Sequence, residues 1–137
     1  MARIRVESDY HEFYRVLSAD DGDSTRRKIF ATMKDVFMLA LGFGVTRNLR
    51  TPLAGAREIF EDTRLRPVDW DIIRAAAVAG SGDGLDVIEN DAQLVRIAEE
   101  YANTGIRIIK NELLPSSPEK SVALALINAY KDARPDA

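Results

Sequence analysis

Residues 25–53 read TRRKIFATMKDVFMLALGFGVTRNLRTPL and contain the clearest helix signal of this 137-residue chain. Thr32 and Asp35 have the spacing of a capping box, which predicts that a helix begins directly after Thr32. Between Lys34 and Leu41 the apolar side chains cover more than one helix face, which is typical of a buried central helix. The glycines of Gly42–Gly44 can adopt the positive φ that ends a helix, so we expect the helix to stop there.

The same stretch is strongly basic within an acidic protein. Residues 24–57 carry seven positive side chains and one negative one, whereas the whole chain has a net charge of −3. Residues 1–66 have a net charge of +2 and residues 67–137 a net charge of −5. Lysine and arginine bind phosphate groups, and such binding weakens as salt is added. The candidate nucleic-acid-binding residues are Arg26, Arg27, Lys28, Lys34, Arg47 and Arg50.

Two interpretations of these cations remain open at the level of sequence. In the first, the basic residues on both flanks of the central helix bind the phosphate backbone of DNA, together with the amides of the helix N-terminus. A helix of about ten residues is only about 15 Å long, so both flanks fit within one duplex footprint. In the second, the arginines form ion pairs with the acidic C-terminal half of the same chain.

The composition is that of an ordinary soluble globular protein. The chain has no cysteine, which excludes disulfides, thiolate metal sites and cysteine nucleophiles and fits a reducing cytoplasm. The N-terminal sequence MARIRVESDY has no apolar run after its charges, so it does not have the form of a signal peptide. No stretch approaches the roughly 18 apolar residues of a membrane span. We therefore expect a cytoplasmic protein without membrane contact.

Short strands and a helix are predicted in the N-terminal half. In residues 2–7 apolar and charged side chains alternate, which is the pattern of a half-buried strand. One strand is not stable alone, so it needs a partner elsewhere in the chain or in a second copy. A helix is expected over residues 8–18, where aromatic and aliphatic residues recur at a spacing of three to four. Residues 56–60 have the composition of a second short strand.

Three further helices are predicted in the C-terminal half. Pro67 suits the first position of a helix that ends at Gly80. Asp91 is expected to cap the longest helix, residues 92–113, in which Gly105 either permits close helix packing or marks a kink. An unusually apolar helix is expected over residues 119–132, where a second capping-box spacing occurs.

These elements predict a mainly α fold, a compact helical domain of about five helices with one or two short strands in its N-terminal half. Residues 1–137 are expected to form one domain, since their number suits a single hydrophobic core. In it, residues 115–133 would add a C-terminal helix and residues 134–137 a flexible tail. The apolar last helix must pack on the body or on another chain, so we expect a homo-oligomer.

Sequence patterns of known catalytic sites are missing. The chain has no nucleophile elbow, HExxH or P-loop. The acidic pairs Glu99–Glu100 and Asp69/Asp71 are explained as solvated helix surface and first-turn charge. The only histidine, His11, has no neighbouring ligand residues for a metal. We therefore expect no enzyme activity, no metal and no cofactor, with a small magnesium-dependent nuclease as the least favoured alternative.

Four segments resemble one protein family. They are RIRV near the N-terminus, TMKDVFMLALGFG, RNLRTPL and EEYANTGIRIIKNEL. The family is phosphorothioation-associated protein 4, whose members are small accessory proteins of bacterial Dnd-type DNA modification and restriction clusters. Its helix motif, F-x-T-x-K-D-x-x-x-x-A-x-x-x-G, is matched by Phe30, Thr32, Lys34, Asp35, Ala40 and Gly44. A basic turn is matched by Arg47, Arg50, Pro52 and Leu53, and a late E-Y-A motif falls in residues 100–109.

The resemblance covers residues 3–113 and implies a bacterial cytoplasmic role beside DNA sulphur modification or defence against foreign DNA, without catalytic residues. Our first hypothesis is a non-catalytic DNA-binding accessory protein that contacts the phosphate backbone through the basic flanks of the central helix. The alternative is a protein–protein adaptor or assembly subunit of a larger defence complex, using its apolar C-terminal helix. A strand followed by helices also loosely resembles ribbon-helix-helix proteins, in which two copies pair their strands.

Overall fold

The computed structural model describes residues 3–18, 30–80 and 89–113. In these ranges the fold is mainly α with one small antiparallel sheet of two strands, as predicted. The elements are β1 (Arg3–Glu7), α1 (His11–Leu17), α2 (Met33–Arg47), β2 (Ala56–Glu61), α3 (Pro67–Gly80) and α4 (Asp91–Ile108). A π-helical turn, Ile109–Leu113, extends α4. Four α-helices thus lie in the described ranges, whereas about five are predicted, and the helix expected at 115–133 lies outside these ranges.

The central helix α2 begins as predicted but ends later. The Thr32 hydroxyl accepts the Asp35 N–H at 3.3 Å, and the Asp35 carboxylate accepts the Thr32 N–H at 3.3 Å, which completes the capping box. The predicted stop at Gly42–Gly44 is wrong, because the helix continues through both glycines to Arg47. It ends at Asn48, which has a left-handed conformation with φ 51°, a role that asparagine fills more readily than most residues.

Two glycines allow the backbones of α2 and α4 to touch. A Cβ atom on Gly44 would lie 2.7 Å from the carbonyl carbon of Tyr101 and closer still to its oxygen. A Cβ atom on Gly105 would lie 2.9 Å from the Cα atom of Ala40 and closer still to its carbonyl group. Gly105 therefore serves close helix packing, the first of its two predicted roles. This contact fixes how the C-terminal ends of both helices are placed.

The strand β1 finds its partner within the chain. It pairs antiparallel with β2, and Ile4 and Phe60 face each other across the sheet and enter the core. On the other edge of β1, the Arg5 N–H donates to the Glu99 carboxylate at 2.7 Å. That edge is thus already bonded at Arg5 to α4. The sheet is therefore formed by one chain, unlike the ribbon-helix-helix arrangement that the sequence loosely resembles.

Several carboxylates lie in the interior rather than in solvent. Asp69, at the start of α3, is 3 % exposed, and Glu99 and Glu100, on α4, are 3 % and 8 % exposed. The interpretation of Glu99–Glu100 as solvated surface is wrong, and that of Asp69 as simple first-turn charge is incomplete. Each of the three is paired with a basic residue, which buried charges require.

Candidate nucleic-acid interface

Three of the six predicted nucleic-acid-binding residues lie in the described ranges, and each pairs with a carboxylate of the acidic C-terminal half. Arg26, Arg27 and Lys28 lie outside the described residues. The ammonium group of Lys34 lies 2.9 Å from the carboxylate of Asp69, and its side chain is only 12 % exposed. The Asp69 carboxylate also accepts the Arg66 N–H at 2.8 Å. Lys34 therefore joins α2 to the start of α3.

Arg50 pairs with a largely buried carboxylate, although 34 % of its own side chain is exposed. Its guanidinium lies 2.8 Å from the Glu100 carboxylate, whose side chain is 10 % exposed. The same carboxylate accepts from Arg96 at 3.4 Å, and the Glu100 carbonyl accepts the Thr51 N–H at 3.1 Å. These bonds hold the loop after α2 against the middle of α4.

Arg47 differs because its ion pair is exposed at both ends. Its guanidinium lies 2.7 Å from the carboxylate of Glu112, and the two side chains are 52 % and 51 % exposed. Exposed pairs of this kind contribute only about 0–1 kcal/mol. Among the three described candidates, Arg47 is therefore the one whose partner an incoming anion displaces most easily.

Arg47 stands at the rim of a cleft of about 340 Å³, which we call the Arg47 cleft. It lies between the loop that follows α2 and the C-terminal part of α4. The residues on its walls are two arginines, two threonines, two aliphatic residues, one asparagine and one glutamate. They are Arg47, Leu49, Thr51, Thr104, Arg107, Ile108, Asn111 and Glu112.

The floor of the Arg47 cleft is held by two hydroxyl groups that bond each other. Thr104 donates to the Leu49 carbonyl at 2.7 Å, and the Thr51 and Thr104 hydroxyls are 2.7 Å apart. A carbonyl only accepts, so the Thr104 proton points at Leu49 and Thr51 must supply the proton between the two hydroxyls. Both hydroxyl protons are therefore already used within the protein.

Leu49 is presented to solvent by the left-handed turn at Asn48. Its side chain is 57 % exposed, and the large hydrophobic residues exposed in the described ranges are Leu49, Val68 and Ile72. Its N–H bonds the Gly44 carbonyl at 3.4 Å, so the chain reverses directly over the end of α2. The turn thereby places an apolar side chain two residues from Arg47, at the mouth of the cleft.

The second cation of the cleft, Arg107, is one that sequence reasoning missed. It bonds the Glu7 carboxylate at 2.5 Å and lies over the ring of Tyr10, 4.8 Å from its centre. Burial alone raises the pKa of the Glu7 carboxyl. The Ala54 N–H, the Asn103 amide and Arg107 outweigh it and hold that pKa below its ordinary value. Arg107 is thus fixed in place, with 30 % of its side chain still exposed.

A smaller depression of about 210 Å³ lies beside Arg5 and Glu99. Burial raises the pKa of the Glu99 carboxyl, although the Arg5 N–H and guanidinium oppose the effect. Both Glu99 oxygens face Arg5, at 2.7 Å from its N–H and 3.5 Å from its guanidinium. In this structure Glu99 therefore bonds the edge of β1 that does not face β2.

An apolar stripe runs along the outer face of α3. Val68 and Ile72 are 49 % and 46 % exposed, and Ala75 and Ala79 are exposed further along the same helix. Positions four, three and four residues apart lie on one helix face. The buried positions Ile73, Ala76 and Ala77 lie on the opposite face, so the stripe points away from the core.

Acidic and histidine side chains are spread out across the described part of the chain. Within residues 3–18, 30–80 and 89–113, no three of them lie close enough together to hold a metal ion. None of the helices in the same ranges is long and apolar enough to cross a membrane.

Comparison with known proteins places the chain in a family. The model of the family described as DNA sulphur modification system-associated protein 4 matches residues 3–136. The match extends beyond residues 3–113, over which the sequence motifs show the resemblance. Searches of curated proteins and of solved structures gave no match.

Proposed function

Because the chain belongs to the DNA sulphur modification system-associated protein 4 family, we propose that it is a cytoplasmic, non-catalytic accessory protein that binds the DNA backbone at the Arg47 cleft. It would serve a bacterial DNA modification and defence system alongside the other proteins of that system. The observation that supports this function most directly is the exposed ion pair of Arg47 and Glu112 at the mouth of a cleft that also contains Arg107.

A DNA phosphate suits this arrangement because it can replace Glu112 as the partner of Arg47. Guanidinium groups bind phosphate and carboxylate in the same forked geometry, so a phosphate can occupy the place of the Glu112 carboxylate beside Arg47. Arg107 lines the cleft from α4 and remains partly exposed. Two guanidinium groups are thus available to one backbone segment.

The remaining candidates take different parts in this proposal. Lys34 and Arg50 pair with the largely buried carboxylates of Asp69 and Glu100, whereas the carboxylate partner of Arg47 is exposed. Arg26, Arg27 and Lys28 precede α2 in sequence and would provide a second backbone contact.

Replacing Arg47 by glutamate should weaken binding to duplex DNA about tenfold, since it removes one charged contact and adds a repulsive one. The slope of log affinity against log salt should fall by about 1. Fluorescence anisotropy with a labelled duplex at several salt concentrations measures both. Arg74→Glu makes the same change of charge on α3, away from the cleft, and should have a much smaller effect. Equal losses in both variants, or no binding by the wild type at low salt, would refute the proposed site.

A second candidate function is that of an assembly subunit that pairs with a second copy through α3. Its apolar stripe has large residues, Val68 and Ile72, at one end and small ones, Ala75 and Ala79, at the other. When two such helices pack antiparallel about a two-fold axis, Val68 faces Ala79 and Ile72 faces Ala75 of the other copy. Large side chains then meet small ones along the whole contact, which is the self-complementarity a two-fold interface needs.

Ile72→Glu should convert such a dimer to monomers, because it places two charges in an apolar contact. The molar mass from light scattering coupled to size exclusion gives the result. Arg74→Glu changes charge on the same helix but off the stripe and should leave the mass unchanged. A wild-type protein that has the mass of one chain at every concentration would eliminate this candidate.

A further inference from the structure

We propose that the Arg47 cleft recognises the sulphur-modified DNA linkage itself, a backbone phosphate in which sulphur replaces one non-bridging oxygen. This inference rests on the proposed function and adds to it the identity of the ligand. The family is associated with DNA sulphur modification, and in the proposed function it is the DNA backbone that enters the cleft. The sulphur that such a cleft can contact is therefore sulphur in the phosphate group.

A sulphur-bearing linkage differs from ordinary phosphate in what it demands from a protein. It keeps its negative charge, so it still needs a cation. Its sulphur atom is larger and more polarisable than oxygen, accepts hydrogen bonds weakly and favours apolar contacts. A selective site therefore combines guanidinium groups for the charge with an aliphatic surface where the sulphur lies. A site for ordinary phosphate would instead place hydrogen-bond donors on every side.

The arginines of the Arg47 cleft provide the cations that the negative charge of the linkage needs. Arg47 and Arg107 line it with 52 % and 30 % of their side chains exposed. Guanidinium is more weakly hydrated than the ammonium group of lysine, so it loses less on contact with a soft anion. Each arginine also has a carboxylate partner, Glu112 or Glu7, which lowers the affinity of the cleft for anions in general.

The floor and mouth of the cleft provide the aliphatic surface that the sulphur atom favours. Both threonine hydroxyl protons are used within the protein, so the hydroxyls that line the cleft in the described residues have no proton left for an anion. Beside these hydroxyls the cleft offers the threonine methyl groups and the side chain of Ile108, and among the described residues Asn111 is its one neutral amide side chain. At the mouth stands Leu49, 57 % exposed. An aliphatic side chain in a cleft that also contains two arginines suits sulphur and offers no hydrogen bond to a phosphate oxygen.

The test compares duplexes of one sequence that carry, at a single position, ordinary phosphate or either of the two stereoisomers of the sulphur-modified linkage. Sulphur and oxygen point in different directions in the two stereoisomers, so one of them should bind about three- to tenfold more tightly than phosphate, as expected for burying an atom of this size. The full chain is used at one salt concentration, and anisotropy gives each dissociation constant.

Leu49→Ala should remove this preference, because it takes away the aliphatic surface against which the sulphur would be buried. Val68→Ala shortens another exposed aliphatic side chain and should keep the preference. Equal binding of all three duplexes would overturn this inference and leave the proposed function intact. A preference that survives Leu49→Ala would overturn its assignment to this cleft. Failure to bind any duplex would overturn the proposed function as well.

Discussion

Gly105→Ala is expected to destabilise the protein by about 3 kcal/mol or more, at the upper end of what single substitutions do. The added Cβ atom would lie 2.9 Å from the Cα atom of Ala40 and closer to its carbonyl group. These are backbone atoms of α2, which cannot turn aside as a flexible side chain can. The two helices must separate, and the contacts along their shared core are loosened together.

The control for this prediction lies on the partner helix. Gly42 is also a glycine within α2, but nothing lies within 4 Å of the position its Cβ would take. Gly42→Ala should therefore leave stability unchanged or raise it by up to about 1 kcal/mol, since alanine favours helix more than glycine does. Urea denaturation followed by circular dichroism gives both free energies of unfolding. Similar values for the two variants would show that the helices are not in backbone contact.

The same contact matters for the proposed site. Arg47 lies at the end of α2, whereas Thr104 and Arg107 lie on α4 beside Gly105. The Arg47 cleft therefore exists only while the two helices keep their close approach. A glycine with no functional group of its own thus determines whether the charged and aliphatic groups of the cleft face each other.

Local sequence rules predicted the starts of elements well. The capping box of Thr32 and Asp35, the first-turn proline Pro67 and the alternation in residues 2–7 each depend on neighbours within a few residues. The corresponding α2, α3 and β1 begin where expected or within one residue of it. The end of α2 was placed wrongly, because Gly42 and Gly44 satisfy the same local rule for a stop. Gly44 instead lies within α2 against the backbone of Tyr101, a residue 57 positions later in the chain.

The candidate site was only partly predictable for the same reason. Charge counting identified Arg47, but it could not separate it from Lys34 and Arg50, whose partners lie 35 and 50 residues away. Arg107 went unnoticed because it stands in the acidic half of the chain. A usable signal did exist: Glu99, Asn103 and Arg107 are spaced four residues apart, so they lie on one face of α4.

Asp69→Asn is expected to cost about 3 kcal/mol at neutral pH, as breaking one side of a buried ion pair does. It leaves the ammonium group of Lys34, 12 % exposed, without its carboxylate, and it weakens the bond to the Arg66 N–H. Lys34→Met should cost a comparable amount. In the double variant the two losses should not add, since the first change has already removed the pair.

Arg47→Gln breaks the exposed pair on the same helix and should cost less than about 1 kcal/mol.

The dependence on pH provides an independent check of the pair of Lys34 and Asp69. Burial alone raises the pKa of the Asp69 carboxyl, but the bonds from Lys34 and Arg66 outweigh it and hold the pKa below its ordinary value. A carboxyl with a lowered pKa in the folded state stabilises the protein above its unfolded pKa and loses that contribution as pH falls through the folded value. The difference in unfolding free energy between wild type and Asp69→Asn should therefore shrink as the solution is acidified below about pH 4. A constant difference across that range would show that Asp69 does not carry its charge in the folded protein.

A Lys34→Met variant that folds normally but loses DNA affinity would assign Lys34 to the interface instead of to α2–α3 packing.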